Sequence, residues 1–543
     1  MNLPAIQPVL IVGAGPTGMT AALDLAHYGI PSIVLDDDNE LSAGSRAIAY
    51  HQSALAVWEK LGAVGPMLKL GIAWWVRHTY RGERELYVQD FGQPSPGYLP
   101  RYINLPQKDV ERFLLERIMA TALIDMRWEH RVSDFAHNAA GVTLTVETPQ
   151  GRQYLSGQYV LACDGARSSM RKLLDLHFPG QTFNDYFLIA DVRADLHFPP
   201  EPRFFFDHPT NPGHTILIHP QPAGIWRIDW QIGSSASPEM ESTPEKMDKR
   251  IRALIGDTPY EVVWLSTYRF HQRLLAEFEQ HGRVFFVGDS AHLVAPFGAR
   301  GLNSAIQDVE NLAWKLAYVL KGLLPQALLE TYQLERWAAQ AENQRVTRTT
   351  MRFMAPDTFW LRLRHNAILW LSGFFAPARK WVDSGKMSIP FVYQDTPLNI
   401  PDRQAENWRP APALGAKLPD LPISSMHAGQ LQSGFLRQLF GSGFVALYFV
   451  ENPARLDNFF VQLASSSNGV PLKVYPVMMT AVDGFDAILD PQEKLALALA
   501  AQPGTLYLVR PDGHIALRRR KAAASDLIDY FEKLGRLKNE VSN

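Results

Sequence analysis

The stretch VLIVGAGPTGMTAALDLAHYGIPSIVLDDD, from Val9 to Asp38, constrains the fold more than any other part of the chain. Val9–Gly13 reads as a short, wholly apolar strand, as a parallel strand buried on both faces should. Gly13, Gly15 and Gly18 then spell G-x-G-x-x-G. The first glycine allows a tight turn, the second lets a pyrophosphate approach the backbone, and the third lets the next helix pack closely on the strand. The spacing predicts a helix over Thr17–Tyr28, closed by Gly29, and a second strand over Pro31–Leu35. The free N–H groups and positive dipole end of that helix face the phosphates. Asp36 ends the second strand, close to the spacing of about 20 residues past the last glycine expected of a ribose-binding acid. Asp37 and Asp38 read as solvated loop charges. Three aspartates would repel a 2′-phosphate, so the site suits FAD or NAD rather than NADP.

A second stretch decides between those two. In RVFFVGDSAHLVAPFGARGLNSAIQDVENLAWKLA (Arg283–Ala317), an apolar strand runs into Gly288-Asp289 and a loop of small residues follows. Gly301-Leu302-Asn303 then opens a long helix to Leu320, with Ile306, Leu312, Leu316 and Val319 on its packed face. Asp289 is placed to bind a ribityl hydroxyl. The helix start offers N–H donors to an electron-rich carbonyl and stabilises developing negative charge. A reduced flavin needs that arrangement; a nicotinamide does not. A third stretch, YVLACDGARSSMRKLL (Tyr159–Leu174), is a strand entering Asp164-Gly165, then a basic helix start with Arg167 and Arg171.

These three ordered motifs resemble those of the single-component FAD-dependent aromatic hydroxylases, the class A flavoprotein monooxygenases with the para-hydroxybenzoate hydroxylase fold. The larger phenol- and hydroxyphenylpropionate-hydroxylase-like branch, with a C-terminal thioredoxin-like domain, is the nearest in size. The resemblance spans essentially the whole chain. It implies an α/β protein: a Rossmann-like FAD-binding domain (1–75, 105–182 and 283–355) interleaved with a β-sheet substrate domain (76–104 and 183–282). A helical connector (356–400) and a thioredoxin-like α/β domain (401–543) would follow. It implies that Gly13, Gly15, Gly18 and Asp36 hold the AMP half of FAD. Arg46 would lie near the pyrophosphate, Gln107 beside the ribityl and phosphate region, and the Val132 backbone against adenine. Asp164 and Gly165 match the motif that contacts both FAD and NAD(P)H. Asp289, Pro296, Gly301, Leu302 and Asn303 match the flavin-side motif. One departure is Ala299-Arg300-Gly301, where that branch commonly reads Gly-Gln-Gly. Arg300, with Pro296, is thereby placed near the isoalloxazine, to steady an anionic reduced flavin or an acidic substrate, or to pair with a carboxylate.

The resemblance implies that NAD(P)H docks transiently, since no second complete glycine motif follows a strand. Oxygen would then be carried to a phenolic ring through a C4a-hydroperoxyflavin. The alternative is a tailoring hydroxylase or epoxidase of a polycyclic polyketide or isoprenoid ring. The substrate would lie against the aromatic strands RFFFDH (Arg203–His208), HTILIHP (His214–Pro220) and GIWRIDWQI (Gly224–Ile232). In the last, Trp226, Ile228 and Trp230 alternate onto one face, with Arg227 and Asp229 opposite. Core packing is the better reading for any one of these aromatics. His292 reads as a loop-packing residue, and no metal-ligand spacing is present.

The remaining composition sets limits. The 543 residues hold 53 basic and 55 acidic side chains, a net charge of −2, which favours neither nucleic acid nor an anionic membrane as partner. Cys163 is the single cysteine, so the C-terminal unit has no disulfide chemistry. That suits a reducing, cytoplasmic setting; a homodimer stays open. No run reaches the roughly 18 apolar residues of a spanning helix. The most apolar one, AILWLSGFFA (Ala367–Ala376), reads first as a buried helix, with membrane-surface contact as the alternative. A helix is also expected over Ser45–Leu61. Gln394–Pro422 reads as a linker, and Pro511-Asp512-Gly513 as the turn of a late hairpin.

Overall fold

A computed structural model describes residues 6–41, 47–233, 236–295, 297–354, 356, 358–382, 389–403, 406–427, 429–450, 467, 469–480 and 486–537. At its centre lies a six-stranded sheet in the order Glu279–Gln280, Val284–Phe286, Val160–Ala162, Val9–Val12, Ser32–Leu35 and Ile124–Arg127. All pairs are parallel except the antiparallel edge pair of Glu279–Gln280 with Val284–Phe286. The three motifs supply its adjacent middle strands. Val12 pairs with Ala162, and Ala162 with Phe286, so the three strands end level. Their turns therefore form one rim at the carboxyl edge, where open α/β sheets bind ligands. The strands are buried throughout, in a core shared with the helices and with Val132, Val142, Leu144 and Val146 of a three-stranded antiparallel sheet, Arg131–Asn138, Gly141–Thr148 and Gly151–Gly157.

A second sheet has eight strands, in the order His292–Leu293, Tyr260–Leu274, Gly180–Ala194, Ile225–Ile232, Thr215–Gln221, Arg203–Phe206, Val76–Arg81 and Arg84–Asp90. One face packs Leu188, Ile216, Ile228 and Trp230 under Met247 and Ile251 of the helix Pro244–Ile255. The other gathers Phe187, Ile189, Leu217 and Phe270 against Ala295 and Phe297, in the loop before the helix Gly301–Leu320. This second face is turned toward the rim.

Two expectations change here. Ala49–His51 is a strand paired with Tyr102–Asn104, and the helix over this stretch is Gln52–Lys60. His51 ends the strand because its ring Nδ1 accepts the Ser53 N–H and so caps the helix. The run Ala367–Ala376 is buried on one side only: Ile368, Leu369 and Ser372 point inward, while Trp370, Phe374 and Phe375 are exposed.

Among the described residues of 394–421 there is no helix or strand, yet Leu398, Trp408 and Leu418 are buried there. After it comes a seven-stranded mixed sheet with Phe444–Phe449 near its middle, parallel to Leu472–Met478 and antiparallel to Leu506–Val509. Leu506–Val509 and Ile515–Arg519 form the expected hairpin, with Gly513 at φ +79° in its turn. The helix Ala524–Gly535 lays Tyr530 and Phe531 against Phe444. Phe444 in turn meets Trp314 and Tyr318 of the helix Gly301–Leu320, so one apolar core joins this unit to the first sheet.

Candidate functional site: a glycine-lined rim facing a polar patch on the second sheet

The glycines of the rim divide into two kinds. Gly13 turns at φ +103°, and a Cβ there would lie 2.5 Å from the Cys163 carbonyl oxygen. A Cβ on Gly18 would lie 1.9 Å from the Gly13 carbonyl oxygen. The protein's own packing demands both. Gly15 is different: its φ of −69° and ψ of 176° suit any residue, and nothing lies within 4 Å of where its Cβ would be. Gly301 also lies outside the left-handed region and opens onto empty space. Each begins a helix, Gly15 as cap of Pro16–His27 and Gly301 as first residue of Gly301–Leu320. Neither helix start has a side-chain cap, so N–H groups of both first turns face outward. Two unforced glycines at two uncapped helix starts describe a cradle for a long ligand with electron-rich groups at both ends.

Asp36 closes one end of it. Its Oδ2 accepts the Ala14 N–H at 2.5 Å and its Oδ1 the Asp38 N–H at 3.0 Å, leaving further lone pairs for ribose hydroxyls. Burial, more than its neighbours, raises this carboxyl above the usual carboxylate range. Asp37 and Asp38 are exposed. Asp164, on the middle turn, accepts from Ser169 Oγ at 2.9 Å and Met170 N–H at 3.0 Å through Oδ2. Its Oδ1 is buried with no hydrogen-bond partner among the described residues. Gly165 beside it has φ +71° and open space. Arg171 spends its guanidinium on the carbonyls of Ala166 and Ser290, at 2.5 and 2.8 Å, and so ties the middle turn to the third.

The third turn, Gly288–Ser290, leaves Asp289 exposed on the rim. Asp308 fixes the turn from below. Its carboxylate accepts from Gly288 N–H (3.2 Å), His292 Nε2 (2.6 Å), Arg336 Nε (2.6 Å) and Gln340 Nε2 (3.0 Å). The Arg336 guanidinium and the His292 ring outweigh burial and hold the Asp308 carboxyl below its ordinary value. His292 is thus a buried link in this network, where loop packing alone was expected. The signal for Asp308 was available in the sequence: an acid on a helix buried on nearly every side must be paired.

Asn303 is fully engaged with protein. Its side chain accepts the His51 N–H at 2.8 Å and donates to Ala49 O at 3.0 Å and Ala299 O at 2.7 Å. Its part in a ligand site is therefore its backbone N–H. The bond to Ala299 holds that residue at φ +51°, a left-handed conformation costly for a non-glycine residue, next to the open Gly301. Arg300 is 5% exposed, and its guanidinium donates to Asn343 at 2.5 Å. Leu302 packs against the cluster around Leu55 and Trp58. Gln107 donates to Glu111 of its own helix at 2.7 Å, and Val132 is buried opposite Val146. Arg46 and Pro296 lie outside the described residues.

Across from the rim, the second sheet carries charges that the aromatic pattern drew attention away from. Trp226, Ile228 and Trp230 belong to the core under the helix Pro244–Ile255. The opposite face presents Arg227 and Asp229. Asp229 pairs across the strands with Ile189 and Leu217, both members of the cluster that includes Ala295 and Phe297 of the loop before the helix Gly301–Leu320. Arg227 forks onto Asp191 with two bonds of 2.8 Å. The Asp229 Oδ1 and the His219 Nδ1 are buried with no partner among the described residues. Burial, partly opposed by Arg227, pushes the Asp229 carboxyl up to about 7. Burial and the cations Arg227 and Arg77 push the His219 imidazole down to about 3, so it is neutral at physiological pH. A carboxyl that titrates near neutrality on an aromatic-lined face can exchange a proton with a weak acid such as a phenol.

A protein-family model described as "FAD binding domain" matches residues 7–347. The 3-(3-hydroxy-phenyl)propionate/3-hydroxycinnamic acid hydroxylase of Mycolicibacterium smegmatis (strain ATCC 700084 / mc(2)155) is 30% identical over 337 residues, covering 62% of this chain and 59% of that protein. The chain thus matches less than two thirds of that relative's length. The para-nitrophenol 4-monooxygenase of Pseudomonas sp. (strain WBC-3) is 30% identical over 339 residues, covering 61% of this chain and 83% of that protein. Among solved structures, the flavin-dependent monooxygenase PieE in complex with FAD and substrate superposes with a TM-score of 0.81 at 22% identity, covering 98% of this chain and 99% of that one. That likeness extends through the C-terminal unit.

Proposed function

Because the chain belongs to the FAD binding domain family, we propose that it is a monooxygenase that hydroxylates a phenolic ring at the expense of NAD(P)H and O2. Two features linked by the loop before Gly301, whose Ala295 and Phe297 pack on the second sheet, support the reading. Gly15 and Gly301 leave room at two helix starts that nothing in the protein requires. The sheet face on which that loop packs, lined by Phe187 and Phe270, bears a carboxyl shifted to about 7. The phenol and nitrophenol chemistry in the names of the two relatives favours a simple phenolic ring over a polycyclic one.

The residues present fit FAD. The N–H groups beyond Gly15 would receive the pyrophosphate and Asp36 the adenosine ribose. Asp164, with its unspent Oδ1, and Asp289 stand on the rim between the two helix starts. The N–H groups at Gly301–Asn303 would meet the pyrimidine edge of the isoalloxazine and favour negative charge there. When bound, the flavin supplies the redox and oxygen-activating chemistry. The protein's own work is to orient the ring, exclude water and move one proton. Asp229 would accept the proton of the substrate hydroxyl, which makes the ring electron-rich. The neighbouring Arg227, held by Asp191, would stabilise the resulting charge. Phe187, Phe270 and Phe297, mutually in contact, would keep water from the reacting face.

The test is a panel of simple phenols added to the purified protein with NADH or NADPH, following absorbance of bound flavin, oxygen uptake and product. A phenol that accelerates nicotinamide oxidation and is recovered hydroxylated is the expected result. A protein that binds no flavin, or one that no phenol stimulates, overturns the reading.

A further inference from the structure

The helices Phe359–Ser372 and Ala376–Val382 pack together as a hairpin whose outer side is apolar and bare. Phe359 is 72% exposed, Trp360 74%, Trp370 63%, Phe374 63%, Phe375 49% and Trp381 60%. Trp360, Trp370 and Phe374 share one helical stripe, opposite the buried His365, Ile368, Leu369 and Ser372. A helix apolar on two opposite sides is normally covered on both, and large exposed aromatic patches mark contact sites.

The charge on this hairpin is one-sided. Between Asp357 and Asp383 the chain has Arg362, Arg364, Arg379 and Lys380 and no further acidic residue, within a chain of net charge −2. Arg364 and Arg352 line a shared cleft beside the hairpin, and Arg345 and Arg348 continue the cationic surface along the neighbouring helix. The overall balance thus conceals a local excess. Tryptophan and phenylalanine flanked by arginine and lysine is the pattern of helices that lie in the headgroup region of a bilayer.

The geometry points to this hairpin as a docking surface for an anionic lipid bilayer, with the aromatic stripe set into the headgroup region and the flanking cations on the phosphates. A second copy of the chain fits less well. A two-fold dimer sets the same patch against itself, and here would bring Arg362, Arg364 and Lys380 of both copies together. No helix of the described residues is long and apolar enough to cross a membrane, so the contact is superficial. The inner side of the hairpin, through Ile368, Leu369 and Val382, belongs to the same apolar cluster as Phe187 and Phe297. Docking there would place the bilayer next to that sheet face. The inference stands on exposure and charge and does not depend on the hydroxylation reading.

The experiment is co-sedimentation of the full-length protein with phosphatidylcholine vesicles, with and without phosphatidylglycerol, at low and high salt. Binding to the phosphatidylglycerol vesicles, weakened by salt, is expected. The triple variant Trp360→Ser, Trp370→Ser, Trp381→Ser should lose about tenfold or more of that binding. A control double variant, Met119→Ser and Leu497→Ser, alters equally exposed apolar residues elsewhere and should bind as the parent does. An unchanged melting temperature in both confirms that the fold is intact. Three results overturn the proposal: no binding to either vesicle, binding indifferent to phosphatidylglycerol and salt, or a dimer in light scattering that the tryptophan variant dissociates.

Discussion

Two polar regions of this molecule treat their hydrogen-bonding capacity in opposite ways. At the seam between the first sheet and the C-terminal unit, every charge is engaged. Glu335 accepts from Arg510 Nη1 at 2.5 Å and Nη2 at 3.0 Å, and from Lys315 Nζ at 2.8 Å. Arg510 also pairs with Asp512, which accepts further from Trp314 Nε1 at 3.3 Å and the His514 N–H at 3.4 Å. All four charged side chains are essentially inaccessible. Across the rim and the facing sheet, by contrast, Asp164, His219 and Asp229 retain buried polar atoms without partners. A closed network holds units together; an open one leaves hydrogen-bonding capacity to spare. The difference is diagnostic because both regions are equally rich in charge, so composition alone cannot separate them.

The comparison breaks hardest at the seam. Glu335→Ala leaves Lys315 and Arg510 buried around a missing carboxylate, and should cost about 3–5 kcal/mol in urea unfolding. Flavin affinity should change little in whatever fraction stays folded. The seam also carries a pH signature. The Lys315 ammonium is pushed down to about 8, chiefly by burial. Between about pH 8 and the ordinary lysine value near 10.4, the unfolded chain binds the proton that the folded one has shed, so this group's contribution to stability rises with pH across that window.

At the rim the expected loss is in binding. Gly15→Ala should leave the melting temperature nearly unchanged, because its methyl meets no protein atom. FAD affinity should fall about tenfold or more, which is ~1.4 kcal/mol or more by fluorescence titration. Gly18→Ala is the counterpart: its Cβ collides with the Gly13 carbonyl, so folding itself should suffer. If the two variants behaved alike, the division of the glycines into packing and ligand positions would be wrong.

Asp229→Asn sharpens the same contrast on the sheet. The folded carboxyl titrates at about 7 and the unfolded one near 3.9. Between those values the folded protein holds a proton that the unfolded chain has released, so stability falls as pH rises through the window. The variant should gain ~2 kcal/mol at pH 8 relative to the parent and nothing below pH 4. It should also lose activity and the limb of the kcat–pH profile near 7, while KM moves less.

How much of this was legible in the sequence follows from how local each feature is. The glycine motif, Asp36 and the helix at Gly301 are set by neighbours a few residues away, so spacing sufficed. Asp229 was placed with Arg227 on the face opposite the tryptophans, but no role was assigned to it. Alternation fixes which residues share a face, but which face is core depends on where the helix Pro244–Ile255 lands. The seam was invisible for a stronger reason: Arg510 and Glu335 stand 175 positions apart, and only the packing of Phe444 and Trp314 brings them together. The exposed side of Phe359–Ser372 stayed only the alternative reading for the converse reason, since an apolar run says nothing about whether anything covers it.

The smallest expected effect returns to the three aspartates. Asp36 receives two backbone N–H groups and is half-buried, whereas Asp37 is exposed and receives none that orient it. Asp37→Asn should therefore shift stability by less than ~0.5 kcal/mol and leave FAD affinity within about twofold. Asp36→Asn keeps the shape but replaces one acceptor oxygen with a donor, which then opposes either the Ala14 N–H or the Asp38 N–H. It should cost ~1–3 kcal/mol in stability and weaken FAD as well. Titration of both variants with FAD would show whether the ribose end of the cradle is one carboxylate or a diffuse acidic patch. Equal losses from the two would favour the patch, and with it a site defined by charge rather than by geometry.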